Sequence, residues 1–149
     1  MAANTTSRIL GEAKRNVRPP ADSERTNTWP ALHYATNVIK GRFPEGEDAI
    51  AENPIASHNY ATEVIKGRFP EGEDAIATSP AHAWYAVNYA LNVIKGRWPE
   101  AEKAIARSLK DALEDDRDAA IEVVYAYLKA FPEAKLEWIM NGWLDWLDT

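Results

Sequence analysis

The chain has 149 residues, the length of one domain, enough for a real core and too short for two separate ones. An apolar fraction of 46% and a charged fraction of 27% fit an ordinary globular protein and exclude disorder over most of the chain. No apolar run approaches the roughly 18 residues of a membrane span, and the opening MAANTTSRILGEAKR carries no signal-peptide core. The absence of cysteine removes disulfides, thiolate catalysis and cysteine metal sites, and a net charge of −6 argues against a dedicated nucleic-acid binder.

Residues 1–28 read as a basic tail, with Arg8, Lys14, Arg15, Arg18 and Arg25 against Glu12, Asp22 and Glu24. Internal repetition begins after it. Residues 35–51 read ATNVIKGRFPEGEDAIA, and residues 61–77 repeat this with Glu63 in place of Asn37. Residues 90–106 read ALNVIKGRWPEAEKAIA, so the copies are offset by 26 and 29 residues. A period in this range is the signature of a stacked repeat. Repeats are placed near 29–52, 53–78 and 79–106. A degenerate terminal repeat and cap cover 107–149, with YLKAFPEA at 127–134 as the drifted fourth copy.

Each copy is punctuated as two helices. Asn53 and Ser79 are predicted N-caps ahead of Pro54 and Pro80, with Thr28 ahead of Pro30 in the same role. The first helix runs to Ile39, Ile65 or Ile94, and Lys40, Lys66 and Lys95 complement its dipole in the last turn. Gly41, Gly67 and Gly96 are the expected left-handed C′ residues. Pro44, Pro70 and Pro99 open the second helix, with acid in its first turn and Ala49–Ile50, Ala75–Ile76 and Ala104–Ile105 on its buried side.

The distance from the capping proline to the valine grows from 8 to 10 to 13 residues, and the third first-helix, apolar nearly all round, is expected at the centre. Beyond the third copy, Leu109 and Leu113 extend the second helix, and Glu114 to Asp118 mark a solvated junction. A stripe of Ile121, Val124, Leu128 and Phe131 follows. Pro132 opens a last helix carrying Leu136, Ile139, Met140, Trp143 and Leu147. The fold class is therefore all-α: tandem helix–turn–helix repeats in a short solenoid-like stack of about eight helices.

The string VIKGRWPEAE, preceded by tyrosine and alanine and followed by Ala-Ile-Ala, resembles a short repeat of uncharacterised proteins of tailed phages and other large viruses. The resemblance covers residues 30–106 well and 107–134 weakly. It implies a viral or prophage origin and a helical stack, and it implies no reaction. The tetratricopeptide period and pattern do not fit.

Two groups of residues are candidate sites. Lys40, Arg42, Lys66, Arg68, Lys95 and Arg97 recur as Lys–Gly–Arg turns that could align into an anion site; the alternative is that each arginine pairs with a nearby glutamate such as Glu45 or Glu47. Trp138, Trp143 and Trp146 crowd the last helix, with Trp138 and Trp146 off its apolar stripe, and are the candidate partner-binding anchors. The alternative folds this helix under the stack as a cap. His33, His58 and His82 share no repeat position, which argues against a metal site. No phosphate loop, nucleophile elbow or catalytic histidine pairing appears, so no enzyme activity and no cofactor are expected.

The expected function is non-enzymatic protein binding by a phage-derived effector that inhibits a host defence protein. That effector would act in the cytoplasm of a bacterial host and could oligomerise through the C-terminal helix. The alternatives are a sequestering protein for a small anionic ligand such as a nucleotide, and a structural or assembly protein of a virion. A membrane role is not expected.

Overall fold

The computed structural model describes residues 17–112 and 117–143. Among these residues the protein is all-helical, with nine α-helices and no strand. No helix among them is long and apolar enough to cross a membrane.

The first helices of the three copies are α2 (Thr28–His33), α4 (Pro54–Asn59) and α6 (Ala83–Tyr89). Each continues into a wider π-helical turn, at Tyr34–Ile39, Tyr60–Ile65 and Ala90–Ile94. The second helices are α3 (Glu47–Ala51), α5 (Pro70–Ala77) and α7 (Pro99–Asp111), and α3 is entered through a 3-10 turn at Pro44–Gly46. A short α1 (Asp22–Thr26) precedes the copies, and α8 (Arg117–Ala130) and α9 (Pro132–Met140) follow them. First helices pack on first helices in the order α2, α4, α6, α8, and second helices on second helices in the order α1, α3, α5, α7. The result is a two-layer stack whose buried residues run continuously from Ala31 to Trp138.

Several local expectations hold. Asn53 caps α4 by accepting from the backbone N–H groups of Ile55 and Ala56, at 2.9 and 3.0 Å. Pro54, Pro70, Pro99 and Pro132 each open a helix, where a missing N–H costs nothing. The third second-helix is indeed long, at 13 residues.

Others are corrected. Thr28 is not a cap: α2 already includes it, and its hydroxyl donates to the Ala49 carbonyl at 2.7 Å, tying the first helix to the second. The ordered stack starts before Trp29, because α1 lies against α2 and α3 and takes the place of a second helix. The left-handed residues are Lys40, Lys66 and Lys95, with φ of 57°, 58° and 59°, rather than the glycines after them. The reason is the π turn: the N–H of each lysine and of the following glycine both reach back to Ala35, Ala61 or Ala90, so the chain reverses one residue early.

Glycine serves elsewhere in the repeat. A Cβ on Gly72 would come within 2.4 Å of the Ser57 hydroxyl and 2.7 Å of the Phe69 ring, and one on Gly46 within 2.4 Å of Phe43. The third copy carries Ala101 there, beside Trp98, which lies flatter on its tyrosine (32°) than Phe43 or Phe69 do (57° and 72°).

The last helix departs most from its sequence pattern. It ends at Met140, and the chain turns at Gly142, φ 74°. The expected stripe of Leu136, Ile139 and Met140 faces outward, and Ala134 and Trp138 are buried instead.

Candidate functional site

A polar clasp joins every copy to the next. In each copy the turn arginine makes a paired hydrogen bond to the glutamate five residues on. Arg42 meets Glu47 at 3.0 and 3.1 Å, Arg68 meets Glu73 at 2.8 and 2.7 Å, and Arg97 meets Glu102 at 2.8 and 2.6 Å. A tyrosine of the following first helix then donates to the same carboxylate: Tyr60 to Glu47 and Tyr89 to Glu73, both at 2.6 Å, and Tyr127 to Glu102. Each tyrosine oxygen also accepts the backbone N–H of the aromatic residue after the arginine, from Phe43 at 2.7 Å, Phe69 at 2.8 Å and Trp98 at 3.0 Å.

The chemistry follows from these contacts. Burial, and then the hydrogen bond to glutamate, raise the phenol pKa of Tyr60, Tyr89 and Tyr127 far above the ordinary value. The Arg68 guanidinium holds Glu73 below the usual carboxylate range. Burial pushes Glu102 upward, but the combined donors Arg97, Tyr127 and Trp138 outweigh it and leave its pKa lowered. Such a network is satisfied internally, and among the described residues no buried side-chain nitrogen or oxygen lacks a partner.

Of the basic turns named from sequence, Arg42, Arg68 and Arg97 are thus committed to glutamates. The pairing partner is Glu47 rather than Glu45, whose carboxylate meets Arg25 at 3.2 Å. Lys40, Lys66 and Lys95 are exposed and make no ion pair among the described residues. The basic side chains therefore do not converge on one point; each arginine is paired with its own glutamate, and the lysines stand exposed.

Of the candidate tryptophans, Trp138 is 0% exposed. Its ring stacks on Tyr127 at 5.5 Å, and its indole N–H donates to Glu102 at 3.2 Å. It is a core residue of the last unit and not an exposed anchor, because the buried Glu102 offers its indole N–H an acceptor and Tyr127 a ring to stack on. Trp143 is half-buried against Trp138, ring centroids 6.2 Å apart. Trp146 lies outside the described residues, as do Glu114, Asp115 and Asp116 of the acidic junction.

The histidines are separately engaged. His33 meets Asn37 at 2.9 Å and His82 meets Ser79 at 2.7 Å, whereas His58 is buried between copies and bonds Asn88 at 2.7 Å. Among the described residues no group of three or more histidine, aspartate or glutamate side chains converges as a metal site would require.

Sequence reading missed a different surface. Trp29, Ile55 and Trp84 each lie five residues before the clasp tyrosine of their copy. They occupy one register of the first-helix layer. Trp29 is 50% and Trp84 54% exposed, whereas Trp98 and Trp138 are buried. The ridge ends at a groove of about 850 Å³ between α6 and α8, walled by Trp84, Val87, Leu91 and Val123 and edged by Asp111 and Glu122. The available signal was the register: a large apolar side chain recurring at a fixed distance from tyrosine, outside the buried positions. Comparison with family models, with curated proteins and with solved structures finds no match to this chain.

Proposed function

We propose that the protein is a non-enzymatic protein-binding module, an effector of the phage-repeat kind that binds and inhibits a host protein. The observation that carries this reading is the Trp29–Ile55–Trp84 ridge. Trp98 and Trp138 are buried, whereas Trp29 and Trp84 stand half in water at the same register. Aromatic side chains at such surfaces commonly dominate binding energy, and stacked helices present them on a long, rigid face. The anion-sequestering alternative draws less support, because its three arginines are each occupied by a carboxylate.

The test is a comparison of wild type with the double variant Trp29→Ala, Trp84→Ala as affinity baits in extract of a bacterial host. Wild type is expected to retain a stoichiometric protein that the variant loses, with the two baits melting within a few degrees of each other. A partner retained equally by both baits, or no stoichiometric partner, overturns the reading.

A further inference from the structure

The groove at the end of the ridge has the form of a site for one more helix. One wall comes from Trp84, Val87 and Leu91, spaced as one face of a helical path, and the facing wall from α8. The α8 wall is shallow-sided: Ala119, Ala120 and Ala126 flank Val123 there, and small residues leave depth for the side chains of an incoming helix. The acidic edge is one-sided. Among the described residues Asp111 and Glu122 border the groove and no lysine or arginine does. Arg107 pairs with Asp111 at 3.1 Å from within its own helix, and Glu122 makes no ion pair among the described residues.

We propose that this groove takes an amphipathic helix of the partner protein, with its apolar stripe against Trp84, Leu91 and Val123 and with lysine or arginine flanking that stripe on the Glu122 side. The proposal rests on the reading of the protein as a binding module and adds the chemistry of the partner. Apolar stripe and groove supply the affinity, as in other helix-in-groove recognition. The carboxylates supply the choice between partners, because a like charge held over Glu122 is disfavoured while an opposite one steers docking.

The experiment uses the full chain and two labelled synthetic peptides of about 18 residues, or five turns. Both carry leucine at helical spacing. One has lysine on the flanks and the other glutamate. Fluorescence anisotropy at low salt is expected to show the lysine-flanked peptide binding at least about tenfold more tightly, with the margin narrowing as salt screens the charges. Trp84→Ala should abolish binding of both peptides, while Leu136→Ala, exposed and outside both ridge and groove, should leave binding unchanged. Glu122→Lys should shift the preference towards the glutamate-flanked peptide; this exposed charge swap leaves the clasp untouched.

Equal binding of the two peptides, a preference that Glu122→Lys does not move, or no binding of either overturns the proposal. If the peptides fail while the ridge variant still loses its partner, the groove chemistry is wrong and the binding-module reading stands. If both fail, the reading itself falls.

Discussion

Lys66 illustrates how one residue can carry a conformation its neighbour is better built for. Its φ of 58° lies in the left-handed region, and Gly67 follows it with no need of that freedom. A side chain with a Cβ is disfavoured there by about 1–2 kcal/mol. Replacing Lys66 by glycine is therefore expected to stabilise the protein by about 0.5–1 kcal/mol after the entropy of glycine in the unfolded chain is counted. In a domain of this size that is a rise of about 1–4 °C in melting temperature. A calorimetric scan checks it, and a fall in Tm would show that the lysine side chain makes a contribution larger than its backbone strain.

At the scale of the element, the unit of cohesion is a helix pair plus the tyrosine of the next pair. The second helices α3 and α5 have 5 and 8 residues, too short to persist alone in water. The clasp fixes their first turn to the following first helix. Tyr127 is the strongest instance, since its partner Glu102 is buried and also holds Arg97 and Trp138. Tyr127→Phe leaves the buried Trp98 N–H without its acceptor and takes from Glu102 Oε2 one of its two donors, Arg97 Nε remaining, at an expected cost of about 2–4 kcal/mol for the two lost bonds. Urea unfolding of the variant measures it, and a loss under about 0.5 kcal/mol would mean that water replaces the phenol freely.

The same clasp sets the pH limits. Glu73 and Glu102 are held below the ordinary carboxylate value, and the Arg18 guanidinium with the Ala21 N–H brings Glu24 to about 2. Such groups stabilise the fold above the unfolded value of about 4.3, and that contribution is lost as the pH falls through the folded values. The tyrosines have raised pKa values, so their contribution is complete below about 10 and is lost as the pH rises beyond it. Melting temperatures across the pH scale are expected to fall at both ends, and Tyr89→Phe should soften the alkaline fall. A melting temperature unchanged from pH 5 down to pH 2 would contradict the acid half.

At the scale of the whole molecule, the described residues form an array whose first and last units depart from the clasp pattern. At the start, Arg18 pairs with Glu24 at 2.6 Å and Tyr34 donates to the Arg18 carbonyl, a modified clasp in front of the first copy. At the finish, Phe131 has the same backbone conformation as Phe43, Phe69 and Trp98. There, however, Ala130 and Lys135 stand where the clasp needs arginine and glutamate, and the Phe131 N–H is already used by the Tyr127 carbonyl. This last unit therefore offers no carboxylate at the clasp position to a further tyrosine. The copies themselves are interchangeable in register. Deleting residues 53–78 would place Tyr89 opposite Glu47 and Phe43 and preserve the clasp, at the loss of the Asn53 cap and the His58–Asn88 bond. The shortened chain is expected to remain fully helical and to melt cooperatively, at lower temperature. Circular dichroism checks it, and a non-cooperative melt would show that the copies are not equivalent.

The sequence by itself determined the period, the helix pairs, the proline starts and the possibility that arginine meets glutamate. These are local, and spacing alone brings such residues within reach. It could not determine which way α9 faces. Its apolar stripe at Leu136, Ile139 and Met140 is the better amphipathic pattern, yet Trp138 is buried, because Glu102 and Tyr127 of other elements offer its indole an acceptor and a ring to stack on. Nor could it show that Tyr60, Tyr89 and Tyr127 belong to the glutamates 13, 16 and 25 residues upstream. Nor could it separate Trp29 and Trp84, left at the surface, from Trp98 and Trp138, which are covered. Burial depends on what the neighbouring copy places opposite a side chain, and that only the assembled stack decides.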